Sequence, residues 1–444
     1  MMSFFSLTSE RIAVVTKNRT YRYCDIPCME FDSPSKELIV ILCENTIEVL
    51  GAYVSAVNSG HATMLLSNDM NRDLLADLLD TYKPKWIVGL DAFEGYAWQK
   101  DKLVRAQDIS QVIHKELAVL LSTSGTTGSQ KFVRLSYRNL KANAESIITY
   151  LSIDASERAV MNLPLSYSYG LSIVNSHFLA SASIVLTDES VMAQSFWSLV
   201  NEQKATSLAG VPFTYQMLQR IGFLTMDLPH LRTLTEAGGR LPVKLVELFA
   251  DYAKKHDKRF FVMYGQTEAA PRISYIPHDR VLDKPGSIGI AVPGGELSID
   301  AETGELIYYG PNVMMGYAEC LADLANADEM HGVLHTGDTA VMDDEGYFTI
   351  TGRLKRFIKL FGLRLNLDEI ERTLEKEFHI AVACVGNDDK LVILVEEESA
   401  VEPVKQAVAT LYKLHRTAYK VKAQDIPRLP NGKINYVAIK ETSV

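Results

Sequence analysis

Residues 120–135 read L-L-S-T-S-G-T-T-G-S-Q-K-F-V-R-L, a series whose types and spacing suit a polyanion. Thr123, Ser124, Thr126 and Thr127 crowd around Gly125 and Gly128, and Lys131 closes the series. Backbone N–H groups of a Gly-rich turn point inward, hydroxyls add donors at little steric cost, and a lysine brings a movable positive charge to phosphate oxygens. The Walker spacing G-x-x-x-x-G-K-[ST] is absent, because Phe132 follows Lys131. A second cluster is Tyr264-Gly265-Gln266-Thr267-Glu268. Its tyrosine offers a face for adenine, its threonine a hydroxyl for an α-phosphate, and Glu268 the carboxylate that a hard cation such as Mg²⁺ seeks beside ATP. In Thr336-Gly337-Asp338 the one carboxylate suits both hydroxyls of a ribose. Near the end, Lys433 follows Gly432 on a loop stiffened by Pro427 and Pro430, so its ammonium can be placed and withdrawn.

These groups need a scaffold that delivers them to one place. Apolar runs at 38–42, 86–90, 118–121, 159–163, 183–186, 206–210 and 260–263 read as strands, alternating with helical stretches at 46–57 and after Ser136. Leu74, Leu75, Leu78 and Leu79 are expected on one helical face. Strand alternating with helix implies mostly parallel sheets covered on both faces. Beyond Gly289 the rhythm changes to short apolar pieces with turns, which predicts an antiparallel or barrel-like subdomain. Residues 367–378 and 401–415 then read as helices, with strands at 381–385 and 391–395. The expected fold class is α/β: a large N-terminal domain of mostly parallel sheets flanked by helices, plus the barrel-like subdomain and a small mobile α+β C-terminal domain. The boundary is placed after residue 351, giving 1–351 and 352–444.

Composition excludes several classes. With 444 residues, 47% hydrophobic and 23% charged, the chain has room for two or three domains with ordinary cores. A net charge of -10 argues against a general nucleic-acid or anionic-membrane binder. Cys24, Cys28, Cys43, Cys320 and Cys384 contain no C-x-x-C pair, and read as free thiols of a reducing compartment. No apolar run long enough to span a bilayer interrupts the sequence, and no basic n-region opens it, so a cytoplasmic protein is expected.

The phosphate-loop series and Tyr264–Glu268 resemble motifs of the adenylate-forming superfamily, which includes acyl-CoA synthetases, nonribosomal-peptide adenylation domains and luciferases. Gln130 stands where that family usually has proline. Leu163-Pro164-Leu165-Ser166-Tyr167-Ser168-Tyr169-Gly170 is similar to its L-P-x-x-H-x-x-G segment, with Tyr167 in place of histidine. Gly352-Arg353-Leu354-Lys355 opens a segment similar to its hinge. The resemblance implies that Gly238 and Gly239 lie along adenine, that Tyr167, Val211, Phe213 and Ala237 border the acyl group, and that Arg353 joins Asp338 at the ribose. It further implies that Lys355 is the hinge and that Lys433 bridges the substrate carboxylate and the α-phosphate.

The implied reaction is attack of a carboxylate on the α-phosphorus of ATP, release of pyrophosphate, and transfer of the acyl group to a thiol. The thiol belongs to CoA or to the phosphopantetheine of an acyl-carrier protein. Lys131, Thr267, Glu268 and Lys433 are the expected catalytic residues; Thr123 to Gly128, Gly238, Gly239, Tyr264 to Gln266, Asp338 and Arg353 are expected to bind ATP. The absence of an aspartate near Tyr167, where amino-acid activators hold the α-amine, favours an acid without an α-amino group. An amino-acid-activating enzyme that loads a peptidyl-carrier protein, and a non-catalytic ATP-binding homologue, remain the other readings.

Overall fold

The computed structural model describes residues 4–109, 111–122, 131–354, 356–360, 363–387, 390–412, 414–415, 417–429 and 432–443. Thr123, Ser124, Gly125, Thr126, Thr127 and Gly128 lie outside them, as do Gln130 and Lys355. The chain is a mixed α/β protein whose sheets combine parallel and antiparallel pairs. It divides into two units, residues 1–296 with 308–334, and residues 297–307 with 335–444.

The first unit holds two large sheets. In the eight-stranded one, Leu38–Cys43 is buried throughout and pairs in parallel with Ala62–Ser67 and Trp86–Val88. An uninterrupted apolar strand is what a sheet covered on both faces requires. The following helix, Ile47–Asn58, starts where the Thr46 hydroxyl accepts the Val49 N–H, and it is buried on nearly every side. Helix Arg72–Tyr82 turns Leu75, Leu78, Leu79 and Tyr82 inward. Leu74 is exposed instead of sharing that face, because the 100° step per residue carries it off the buried stripe. Leu117–Ser122 runs out to the phosphate-loop series, and the chain returns antiparallel as Phe132–Ser136. Ser136 then starts helix Tyr137–Leu151 in a reciprocal cap with Asn139.

Arg134, in the returning strand, is fully buried yet satisfied. Its guanidinium donates to the carbonyls of Tyr317 (2.9 Å), Asn326 (2.6 Å) and Met315 (3.3 Å) and to Glu329 Oε2 (2.8 Å). It thereby fixes the edge strand Gly316–Ala318 and the loop beyond it.

The nine-stranded sheet positions the candidate site. Arg259–Gly265, Thr233–Glu236, Ser207–Gly210, Arg158–Met161 and Ser183–Leu186 lie side by side in that order, all parallel. Strand order reverses at Arg158–Met161, whose successors in sequence flank it on opposite sides. Ligands of such sheets bind beyond the carboxyl ends of strands at this reversal. The segment 162–170 leaves the sheet there.

Glu296–Ile299, Glu305–Tyr309, Val333–Met342 and Phe348–Arg353, most of whose residues belong to the second unit, form a four-stranded sheet, the last two antiparallel. Val382–Gly386, Leu391–Val395 and Tyr419–Ala423 form a three-stranded sheet beside helices Leu367–Phe378 and Val401–Tyr412. Arg356 pairs with Asp368 and with Glu371 (2.9 Å), and stacks on Tyr436 at 3.8 Å. Tyr436 closes the circle by donating to Glu371 (3.0 Å). A charge group this buried holds only when each member is paired.

Candidate active site

The parallel strands Ser207–Gly210 and Thr233–Glu236 end together, tied by the Ala237 N–H donating to the Gly210 carbonyl at 3.2 Å. Gly238 follows with φ 93°, and a Cβ there would sit 2.2 Å from the Tyr167 hydroxyl and 3.3 Å from Val211 Cγ1. Only glycine allows this backbone so close to the tyrosine. Tyr167, Val211, Ala237 and Gly238 are thus brought together, while Gly239 is exposed and leaves the shelf open on one side. Phe213, on helix Pro212–Arg220, is exposed. Burial pushes the Tyr167 hydroxyl up to about 12, with Arg272 pulling the other way.

One strand further along, Arg259–Gly265 delivers Tyr264 to Glu268, all of them partly exposed. Gly265 lies against Pro271, whose carbonyl would be 1.8 Å from a Cβ. Thr267 opens a short 3₁₀ turn, and its hydroxyl lies 3.3 Å from Ser168 Oγ. Gln266 Nε2 donates to the Tyr264 hydroxyl at 3.2 Å. Glu268 accepts from the Tyr317 hydroxyl at 3.0 Å through Oε1. Burial, then Glu268, hold the Tyr317 hydroxyl well above its ordinary range, so it remains a donor. Lys131 closes this face, 2.6 Å from Glu319 and 6.0 Å above the Tyr317 ring. Among the described residues no group of three or more His, Cys, Asp or Glu converges as a metal cage. The donor set at Glu268, a single half-exposed carboxylate, fits an Mg²⁺ ion that is also held by substrate phosphates.

Behind the strand ends, between the sheet and the helices Tyr137–Leu151 and Ser168–Leu179, lies a cavity of ≈ 30 Å³. Tyr169, Ser172, Thr235, Arg259 and Arg272 line it. Tyr169 donates to the Thr235 carbonyl at 3.0 Å, and the Arg272 guanidinium stacks on its ring at 4.1 Å. Sequence reasoning passed over Arg272, Tyr317 and Ser168. The one available signal was an arginine inside the otherwise apolar run A-A-P-R-I-S-Y-I.

The second unit carries the remaining candidates. Asp338 is buried and faces Arg353 across the antiparallel ladder, with Nε to Oδ1 3.1 Å. Lys433 sits half-buried beside an isolated bridge between Arg428 and Ile434. Its carbonyl accepts the Leu429 N–H at 2.7 Å, and Gly432, at φ 80°, supplies the turn.

A glycine shelf at parallel strand ends, a tyrosine-led acidic motif and Lys131 belong to the first unit of this mixed α/β protein. Residues 34–318 match the family of AMP-binding enzymes, and the chain belongs to that family. It is 31% identical over 276 residues to a feruloyl-CoA synthase of an Amycolatopsis species, covering 58% of this chain and 54% of that protein. It is also 31% identical over 354 residues to a long-chain-fatty-acid–CoA ligase of Salmonella typhimurium, covering 73% of this chain and 61% of the ligase. The chain therefore spans less than two thirds of either relative's length. An o-succinylbenzoate CoA synthetase of Bacillus subtilis, solved with its acyl-adenylate intermediate, shares the fold. The TM-score is 0.78 at 20% identity, over 99% of this chain and 96% of that one. Among the described residues no helix is long and apolar enough to cross a membrane.

Proposed function

We propose that this chain activates a carboxylic acid with ATP, releasing pyrophosphate, and passes the acyl group from the resulting adenylate to the thiol of CoA. The observation that carries this reading is the convergence of Tyr167, Ser168, Gly238 and Tyr264 to Glu268 at the ends of neighbouring parallel strands. CoA ligases among the relatives of similar sequence add to it.

The carboxylate is ionised before reaction, so no side chain need serve as nucleophile or strong base. Charge spreading over the α-phosphoryl oxygens is the barrier to be lowered. The Thr267 hydroxyl would donate to those oxygens, with Lys131 and Lys433 supplying ammonium groups. Tyr264 would stack on adenine above the Gly238–Gly239 shelf. Asp338, oriented by Arg353, would accept the ribose hydroxyls. Glu268 would hold Mg²⁺, which supplies charge neutralisation at the phosphates when bound. Residues 123–128 would cradle the β- and γ-phosphates. Lys355 would be the hinge between domains 1–351 and 352–444, so that turning the smaller one withdraws Lys433 and admits the thiol.

Lys433→Ala is expected to lower acid-dependent ATP–pyrophosphate exchange by about 10²–10³-fold, the usual cost of removing one donor to a developing oxyanion. The same variant should still form thioester from a supplied acyl-adenylate. Equal loss of both half-reactions would remove the assignment of Lys433 to adenylation alone. Running the second half-reaction with CoA and with a pantetheinylated carrier protein identifies the thiol.

A further inference from the structure

The cavity beside Tyr169 holds two arginines in opposite states. Arg259 donates to the Leu151 carbonyl at 2.9 Å and to Thr233 Oγ1 at 2.7 Å, and lies 3.5 Å from Glu157. Glu157 is held in turn by Arg232 at 3.1 Å and by Thr206. That end of the cavity is closed electrostatically.

Arg272 is different. It is 3% exposed, its Nε has no acceptor, and among the described residues no carboxylate lies within ion-pair distance of it. Its guanidinium has the Tyr169 ring on one face. The Tyr150 hydroxyl lies against it as a neutral hydrogen-bond partner, donating its own proton to Met263 Sδ at 3.0 Å. Its charge is felt by Glu236, which is fully buried with both oxygens without a hydrogen bond. Burial pushes the Glu236 carboxyl well above the ordinary carboxylate range, with Arg272 pulling it back, and no hydrogen bond joins the two. A desolvated guanidinium with a ring contact and no anion is strongly unfavourable in isolation. It becomes favourable when a carboxylate arrives, because two parallel N–H donors match the two oxygens.

We infer, building on the adenylation reading, that Arg272 receives a second carboxylate of the acid, so that the preferred substrate is a compact dicarboxylic acid. The cavity supports both halves of this. Its ≈ 30 Å³ holds about two waters, enough for a small polar group and too little for a long alkyl chain. Ser172, Ser176 and Thr235 in its wall give it further polar surface. Thr235, in its wall, stands two residues before Ala237 in the chain.

The test uses succinate and glutarate against butyrate and valerate, acids matched in chain length, with the wild type, Arg272→Met and Arg272→Lys. In ATP–pyrophosphate exchange the wild type should favour the diacid by about tenfold or more in kcat/KM, the scale of one charge-assisted pair. Arg272→Met should erase that preference, mainly through KM, and keep exchange with the monoacid; Arg272→Lys should keep part of it. Calorimetric titration of glutarate without ATP gives an independent reading, with binding to the wild type and none to Arg272→Met. A wild type that uses valerate as well as glutarate overturns the inference whatever the variants do, as does a diacid preference that survives Arg272→Met. If no acid supports exchange while glutarate still binds through Arg272, the anion site stands and the adenylation reading falls. If neither exchange nor binding is seen, the Arg272 inference falls too.

Discussion

Arg134 and Arg272 are both buried arginines on strands of the first unit, at 0% and 3% exposure, yet their surroundings differ completely. The Arg134 guanidinium is consumed by backbone carbonyls and Glu329, so its charge serves to join an edge strand to a loop. Arg272 has the Tyr169 ring, the Tyr150 hydroxyl and a place in the cavity wall instead. A buried charge that is fully paired belongs to the architecture. One that meets no anion within the fold is costly to the free protein, and an arriving carboxylate relieves that cost.

This comparison can be broken by stability measurements. Arg134→Met orphans the carbonyls of Met315, Tyr317 and Asn326 while half-exposed Glu329 is left to water, so denaturant unfolding should show a loss of about 3–5 kcal/mol. Arg272→Met removes a charge that meets no anion among the described residues and gives up only the Tyr169 ring and the Tyr150 hydroxyl, so it should cost less, about 1–2 kcal/mol or below. Equal losses at the two positions would mean that Arg272 is held by the fold after all.

The cavity has a buried histidine on its wall, which sharpens the contrast through pH. Burial lowers the His177 imidazole from 6.5 to about 4, with the Ile173 carbonyl, 2.9 Å from Nδ1, pulling it back up. The unfolded chain takes up this proton first as pH falls. Stability from neutral His177 is therefore present above about 6.5 and lost progressively down to about 4. The full loss is of order 3 kcal/mol at 1.36 kcal/mol per pH unit. His177 Nε2 has no partner among the described residues, so His177→Phe should flatten this slope without a large cost at pH 8. A wild-type stability independent of pH across that window would show the imidazole to be solvated.

Much of this was legible in the sequence. Buried strands such as Leu38–Cys43 and Ser183–Leu186 declare themselves as apolar runs, and Ser136 announces its helix through the cap it forms. Motif residues such as Tyr264 to Glu268 are local, so their chemistry and spacing are read together. What could not be read depends on distance in the chain. Arg272 meets Tyr169 only because Arg272–Ile276 pairs back on Arg259–Gly265, and Tyr317 reaches Glu268 only through the edge strand that Arg134 secures. Leu74 was misplaced by a narrower cause, since a helical stripe includes some neighbours and excludes others by a single 100° step.

The most direct test of the whole account is the identity of the nucleotide product. With Mg²⁺, α-labelled ATP, glutarate and CoA, the account predicts AMP and pyrophosphate in equal amounts, formed only when the acid is present. Acid-dependent formation of ADP and phosphate would contradict it, because that outcome places the attack on the γ-phosphorus rather than on the α-phosphorus.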